Sequence, residues 1–191
     1  MHLAKSNLYK RTSEVLSGAC DPFEIQGLRY RSARAEDGVA LWRLVGEAGT
    51  LERNSAYAYL LMASDFGATC LVAEDIDGAI AGGVIGFRPP REPDCAFVWQ
   101  VGVRPDHRGR GVALAMLKAW WALPAVRDAR WLTATVADDN RASQALFRRL
   151  AESLRVPCEV RPRFTAEAFP PGHPAEPEYR LGPFRPPARD P

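Results

Sequence analysis

Two periodicities alternate along the chain. Leu28-Arg29-Tyr30-Arg31-Ser32-Ala33 repeats apolar and polar positions with a period of two and predicts a strand. Ala35-Glu36-Asp37 then opens a helix carried by Val39, Leu41, Trp42, Val45 and Ala48. A second helix follows from Asn54 or Ser55 through Tyr57, Tyr59, Leu60 and Leu61, with either starting residue able to cap it. Thr69 to Glu74 and Ala79 to Phe87 read as strands joined by a hairpin turn at Asp77-Gly78. The prolines of Arg88-Pro89-Pro90-Arg91-Glu92-Pro93 cannot donate to a ladder, so this stretch is a loop. Phe97 to Val103 is almost continuously apolar, as in a strand buried on both faces. Its alternation places Phe97, Trp99, Val101 and Val103 on one face and Val98, Gln100 and Gly102 on the other. Val112 to Leu123 is helical and stopped by Pro124. Trp131 to Val136 is a strand, Asp139 to Leu154 a helix, and Cys158 to Arg163 and Tyr179 to Leu181 are late strands. Hairpins mixed with strand–helix steps predict the α+β class with a mixed sheet.

Two ends stand apart from this pattern. Residues 1–26 show little periodicity and read as a flexible N-terminal arm, and 185–191 as a flexible tail, leaving 27–184 as one domain. At 191 residues, 47% hydrophobic and 25% charged, the chain is long and apolar enough to fold around its own core. Lys and Arg number 25 against 23 Asp and Glu, too even a balance to attract nucleic acid or a membrane surface by bulk charge. Cys20, Cys70, Cys95 and Cys158 are scattered, with no paired spacing and no histidine at ligand distance. The expectation is reduced, structural thiols, no metal site and a cytoplasmic protein.

The chemically informative stretch is Val101-Gly102-Val103-Arg104-Pro105-Asp106-His107-Arg108-Gly109-Arg110-Gly111-Val112-Ala113. A buried strand runs through a glycine-containing loop into a helix, so free backbone N–H groups and the helix dipole meet at one point. That is the make-up of a phosphate cradle, although the loop chemistry alone favours an ordinary strand-to-helix turn, since such turns are common. No Gly-Lys-Ser/Thr follows, and the third glycine of a dinucleotide fingerprint is missing.

The series Arg108-x-x-Gly111-x-Ala113 after an apolar strand resembles the acyl-CoA-binding signature of the GCN5-related N-acetyltransferase (GNAT) superfamily. Thr133 to Val136, followed by Asn140, Ser143 and Phe147, is similar to that superfamily's next strand and helix. The resemblance implies a GNAT-like mixed sheet with two splayed central parallel strands flanked by helices. It implies acetyl-CoA as cosubstrate, held by Val101, Val103, Arg108, Gly109, Arg110, Gly111, Ala113, Asn140, Ser143 and Phe147. It also implies a backbone N–H near Val101, at a bulge, that stabilises the oxyanion. His107 would shape the loop or touch the cofactor.

Within that superfamily, Leu51 to Leu61, Arg88-Pro89-Pro90, Phe97 to Val101 and Tyr179 to Phe184 resemble the L-2,4-diaminobutyrate acetyltransferases of ectoine synthesis. This implies direct acetyl transfer to the γ-amine of L-2,4-diaminobutyrate by a homodimer. Glu52, Asn54, Trp99, His173, Glu176 and Glu178 become substrate-binding candidates, and Tyr57 and the Val101 amide catalytic ones. The family usually has Asp where this chain has Glu52, one methylene longer. Read without the family, Glu176 and Glu178 are surface glutamates, His173 is a loop histidine, Trp99 is core, and Asn54 and Ser55 are helix caps. Tyr57 and Tyr59 diverge by about 200° on a helix, so one faces the site and the other the core. Phe147 stands where many relatives carry a tyrosine acid and has no proton to give. Acetylation of another small diamine or amino acid, and a non-catalytic acyl-CoA sensor, are the alternatives.

Overall fold

The computed structural model describes residues 23–25, 27–49, 51 and 53–184. Strands β1 (Phe23–Ile25), β2 (Leu28–Ser32), β3 (Leu71–Glu74), β4 (Ile80–Phe87), β5 (Cys95–Val103), β6 (Trp131–Thr135), β7 (Cys158–Phe164) and β8 (Glu176–Leu181) form one sheet. Its order is β1-β2-β3-β4-β5-β6-β8-β7, and every pair is antiparallel except β5 with β6. The helices are α1 (Gly38–Ala48), α2 (Ala56–Asp65), α3 (Val112–Trp121) and α4 (Arg141–Leu154).

Each helix covers the sheet with its apolar stripe. Leu41, Leu44 and Val45 of α1 and Tyr59 and Ala63 of α2 pack on Val72 and Ile85 of one face. Met116, Leu117 and Trp120 of α3 and Phe147, Leu150 and Ala151 of α4 fill the larger core on the other, against Leu71, Val84, Val98, Leu132 and Leu181. The buried indole of Trp120 donates to the Thr69 carbonyl at 2.7 Å, so its polar edge is satisfied within the core.

Three features depart from the sequence-based expectations. Phe23–Ile25 lies inside the stretch read as an arm, yet it pairs with β2 across a turn in which Gly27 adopts φ +73°. Three residues are too few to show a period of two. Thr69 belongs to a 3-10 turn, not to β3, and spends its hydroxyl on the Phe66 and Gly86 carbonyls.

The third departure matters most. Ile85 pairs with Gln100 and Gly86 with Val98, leaving Trp99 as the extra residue of a bulge in β5. A bulge resets the two-residue period. Val98, Val101 and Val103 therefore pack with the α3–α4 core, whereas Trp99 packs with α1 and α2, and a side chain at Gly102 would meet Leu44 of α1. The single face expected for Phe97, Trp99, Val101 and Val103 is split. The bulge itself lies at Trp99, two residues before the expected Val101 position.

The β5–β6 ladder ends at Val98 and Ala134, although β5 runs on to Val103. Beyond Ala134 the chain stays with the other neighbour, since the Val136 and Asp138 amides donate to the Pro177 and Ala175 carbonyls. The bulged strand and the strand held by β8 therefore part, and a wedge opens between them.

Candidate active site

At one mouth of the wedge β5 feeds the glycine loop. Gly109 and Gly111 adopt φ +73° and +78°, and a Cβ added at either would meet nothing within 4 Å, so open space faces the backbone there. Gly111 caps α3 without a side-chain hydrogen bond, which leaves the first-turn N–H groups of a ten-residue helix available to an anion. The loop is braced from behind. Arg104 pairs with Asp75 and Asp106 at 2.8 Å and contacts His107 Nε2 at 2.9 Å. Its hydrogen bond holds the Asp75 carboxyl below the usual range.

Arg108, expected at the cofactor, is engaged by the protein's own backbone. Its guanidinium donates to the Val103 carbonyl at 3.0 Å and the Glu47 carbonyl at 3.1 Å, stapling the end of α1 to the end of β5. Arg110 is exposed beside His107 and lines a cleft of about 430 Å³ with Gly27, Leu28, Asp75, Ile76 and Val112. Asn140 caps α4 by accepting from the Ser143 amide at 3.1 Å, so these two candidates hold each other at the helix start. Ala113 is half-buried, and Phe147 is buried in the α3–α4 core, 6.3 Å from the Tyr179 ring.

The substrate candidates gather on the opposite side. Tyr179 and Leu181 of β8 face the α3–α4 core, so Glu176, Glu178 and Arg180 face the side of α1 and α2. Among the described residues, the cluster under α1 and α2 holds no side chain of β6, β7 or β8, and this half of the sheet carries polar side chains on that face. There Thr135 donates to Glu176 at 2.6 Å, Arg163 pairs with Glu178, and Arg180 lies 4.4 Å from the Trp131 ring. His173 stacks on Phe169 at 4.0 Å and stands 4.0 Å from Glu176. Glu178 and Glu176 are thus not loose loop glutamates but strand residues with fixed partners.

Trp99 joins this face through α2. Its ring stacks on Tyr59 at 5.8 Å, and the Tyr59 hydroxyl donates to Gln100 Oε1 at 2.9 Å. The Asn54 amide approaches the same hydroxyl at 3.4 Å, and Ser55 supplies the α2 cap. Of the two tyrosines, Tyr59 takes the core position and Tyr57 is 72% exposed on the other side of α2. Glu52 lies outside the described residues.

Cys95 is buried beside Glu92, and burial with that carboxylate pushes its thiol up to about 11, so it stays protonated and inert. Among the described residues no three His, Cys, Asp or Glu side chains gather to hold a metal ion. No helix among them is long and apolar enough to cross a membrane.

A wedge between parallel strands, an anion cradle at its mouth and a polar face beside it define an acyl-CoA-dependent transferase. Residues 39–151 match the sequence profile of the Acetyltransferase (GNAT) family. The chain is 41% identical over 151 residues to the L-2,4-diaminobutyric acid acetyltransferase of Shouchella clausii, covering 78% of this chain and 84% of the relative. It is 40% identical over 152 residues to that of Halalkalibacterium halodurans, covering 79% of each. The solved diaminobutyrate acetyltransferase EctA of Paenibacillus lautus, in complex with L-2,4-diaminobutyric acid and coenzyme A, superposes with a TM-score of 0.79 at 40% identity. That match covers 83% of this chain and 96% of the other. The chain belongs to the GNAT acetyltransferases and, within them, to the L-2,4-diaminobutyric acid acetyltransferase family.

Proposed function

We propose that this chain transfers the acetyl group of acetyl-CoA directly to the γ-nitrogen of L-2,4-diaminobutyrate, giving N4-acetyl-L-2,4-diaminobutyrate for ectoine synthesis. One observation carries the reading. The wedge after Val98 and Ala134 opens between Trp99, which packs on α2, and the polar strand face that carries Glu176 and Glu178. Acidic and aromatic groups there suit a substrate with two ammonium groups.

The cradle at Gly109 to Val112 fits the pyrophosphate of acetyl-CoA, with Arg110 adding charge and Val101 and Val103 lining the wedge. An alkyl ammonium titrates near about 10.4, so the γ-nitrogen must shed a proton before it attacks. The nitrogen–carbon bond then forms at the thioester carbonyl, the carbon–sulfur bond breaks, and the leaving thiolate takes up a proton. The Val101 amide stabilises the carbonyl oxygen as it becomes negative. Phe147 offers no proton, which leaves Tyr57, exposed at the start of α2, or water to pass protons. Asn54, His173 and Glu52 complete the substrate contacts. The α-nitrogen is the less basic of the two, so geometry and not basicity must select the γ-nitrogen.

We read the enzyme as a cytoplasmic homodimer, which sedimentation of the purified chain tests. Activity is tested by free-thiol release from acetyl-CoA with L-2,4-diaminobutyrate, ornithine, lysine, spermidine or no amine. Strong preference for L-2,4-diaminobutyrate is expected. Preference for another amine would discard the substrate, and acetyl-CoA binding without turnover would discard the activity.

A further inference from the structure

Resting on that reading, a second question follows from substrate chemistry: which cation holds the α-carboxylate. Four arginines are candidates near the site. Arg53 lies 4.4 Å from the Trp42 ring and across Gly46, which is on the exposed side of α1, away from the sheet. Arg88 is tied to Asp128 and the Pro93 carbonyl. Arg180 lies against Trp131, reaches Glu92 at 3.3 Å, and is only 15% exposed.

Arg163 differs from all three. It stands on the edge strand β7 directly after Pro162, where the register with β8 slips between Arg161 and Phe164. Pro162 cannot donate to the ladder, and an edge strand tolerates the resulting bulge. β8 and β6 separate β7 from β5, yet the guanidinium lies 5.3 Å from the Phe97 ring of β5. It is paired with Glu178 and still 31% exposed. A guanidinium has five N–H donors, so one carboxylate does not saturate it. Glu178 in turn keeps Oε2 3.9 Å from Arg180, beyond hydrogen-bond distance, and able to accept from an ammonium.

We propose that Arg163 and Glu178 form a clamp for the zwitterionic α-carbon, Arg163 taking the α-carboxylate and Glu178 the α-ammonium. Phe97 and Trp99 are two residues apart, at most about 6.6 Å along the bulged strand. From carboxyl carbon to γ-nitrogen, four bonds of about 1.5 Å span about 5 Å when extended. A substrate clamped over Phe97 therefore brings its γ-nitrogen towards Trp99, where the wedge opens, while both α-groups stay behind. The clamp supplies the geometric choice of nitrogen that basicity does not.

The test compares L-2,4-diaminobutyrate with 1,3-diaminopropane, the same diamine without its carboxylate. In Arg163→Gln, KM for L-2,4-diaminobutyrate should rise about 10- to 100-fold, as expected for lost charge-assisted hydrogen bonds, with a much smaller change in kcat. The kcat/KM for 1,3-diaminopropane should move far less, so the preference between the two collapses. Arg163→Lys keeps the charge and the stem over Phe97 but loses the fork, and an intermediate KM is expected; it also guards against a folding defect. Equal losses on both substrates, or an unaltered KM for L-2,4-diaminobutyrate, would overturn the clamp alone. No wild-type turnover of L-2,4-diaminobutyrate would overturn the underlying reading and the clamp with it.

Discussion

Two ion clusters of similar make-up lie at opposite ends of the sheet. In the first, Glu74 sits between Arg29 and Arg31; in the second, Glu178 sits between Arg163 and Arg180. Both glutamates are buried, 5% and 7% exposed. The first cluster closes around Arg31, 12% exposed, while Arg29 at its rim is 56% exposed. Arg31 bonds Glu74 at 2.7 Å and grips Asp37 with two bonds of 2.7 and 2.8 Å, while the Arg34 amide donates to Asp37 at 2.7 Å. The second stays open, with Arg163 accessible over Phe97 and the Arg180 Nε–H buried without a partner among the described residues. Saturation of Arg31 makes the first a fastener between β2, β3 and the start of α1. Spare donors and a polar strand face make the second a place for a ligand.

Replacing one member on each side separates these roles most sharply. Arg31→Ala leaves the buried Asp37 without its guanidinium and Glu74 with Arg29 alone, and should cost about 3–5 kcal/mol in denaturant unfolding. The preference for L-2,4-diaminobutyrate over 1,3-diaminopropane should survive in whatever fraction folds. A wild-type unfolding midpoint would show that the first cluster fastens nothing. Acid probes the same cluster. Burial alone would raise the Asp37 and Glu74 carboxyls, but the hydrogen bonds and charge of Arg31, with Arg34 or Arg29, hold both below their ordinary 3.8 and 4.5. Their contribution is therefore complete above those values and fades as pH falls through the lowered ones. Unfolding midpoints followed from about pH 6 down to pH 2 should drop less steeply in Asp37→Asn than in the wild type.

On the open side, Glu178→Gln should lower kcat/KM for L-2,4-diaminobutyrate about 10- to 100-fold, with a smaller change in acetyl-CoA affinity, read by calorimetry. A proportionate loss of acetyl-CoA affinity would move Glu178 out of the substrate face. Tyr59→Phe, which removes the donor to Gln100 at the bulge, should cost about 1 kcal/mol of stability and slow turnover, with acetyl-CoA affinity kept. Unaltered turnover would show that the bulge keeps its shape without α2. The smallest effect belongs to the exposed Arg161–Glu159 pair, where Glu159→Gln should change stability by about 0–1 kcal/mol.

The amphipathic helices and most strands could be read from the sequence because their apolar periods are long and unbroken. The glycine loop was legible too, since Gly109 and Gly111 precede an apolar helix. What stayed hidden depends on interruptions of a period. A run as apolar as Phe97 to Val103 carries no mark of the bulge at Trp99, so the faces of Val101 and Trp99 could not be separated. Arg108 looks like a phosphate ligand in the motif, yet its guanidinium serves carbonyls of two elements distant in sequence. Arg163 and Arg180 belong to no motif that marks them for a site. The available signal was Glu176, Glu178 and Arg180 alternating with the apolar Tyr179 and Leu181, together with Pro162 just before Arg163.

The most direct test of acetyl transfer to the γ-nitrogen is fragmentation mass spectrometry of the product formed from L-2,4-diaminobutyrate and acetyl-CoA. Acetyl carried on N4 alone is the expected result. Acetyl on the α-nitrogen, or on both nitrogens in comparable amounts, would contradict a site that fixes the α-carbon and presents only the γ-nitrogen.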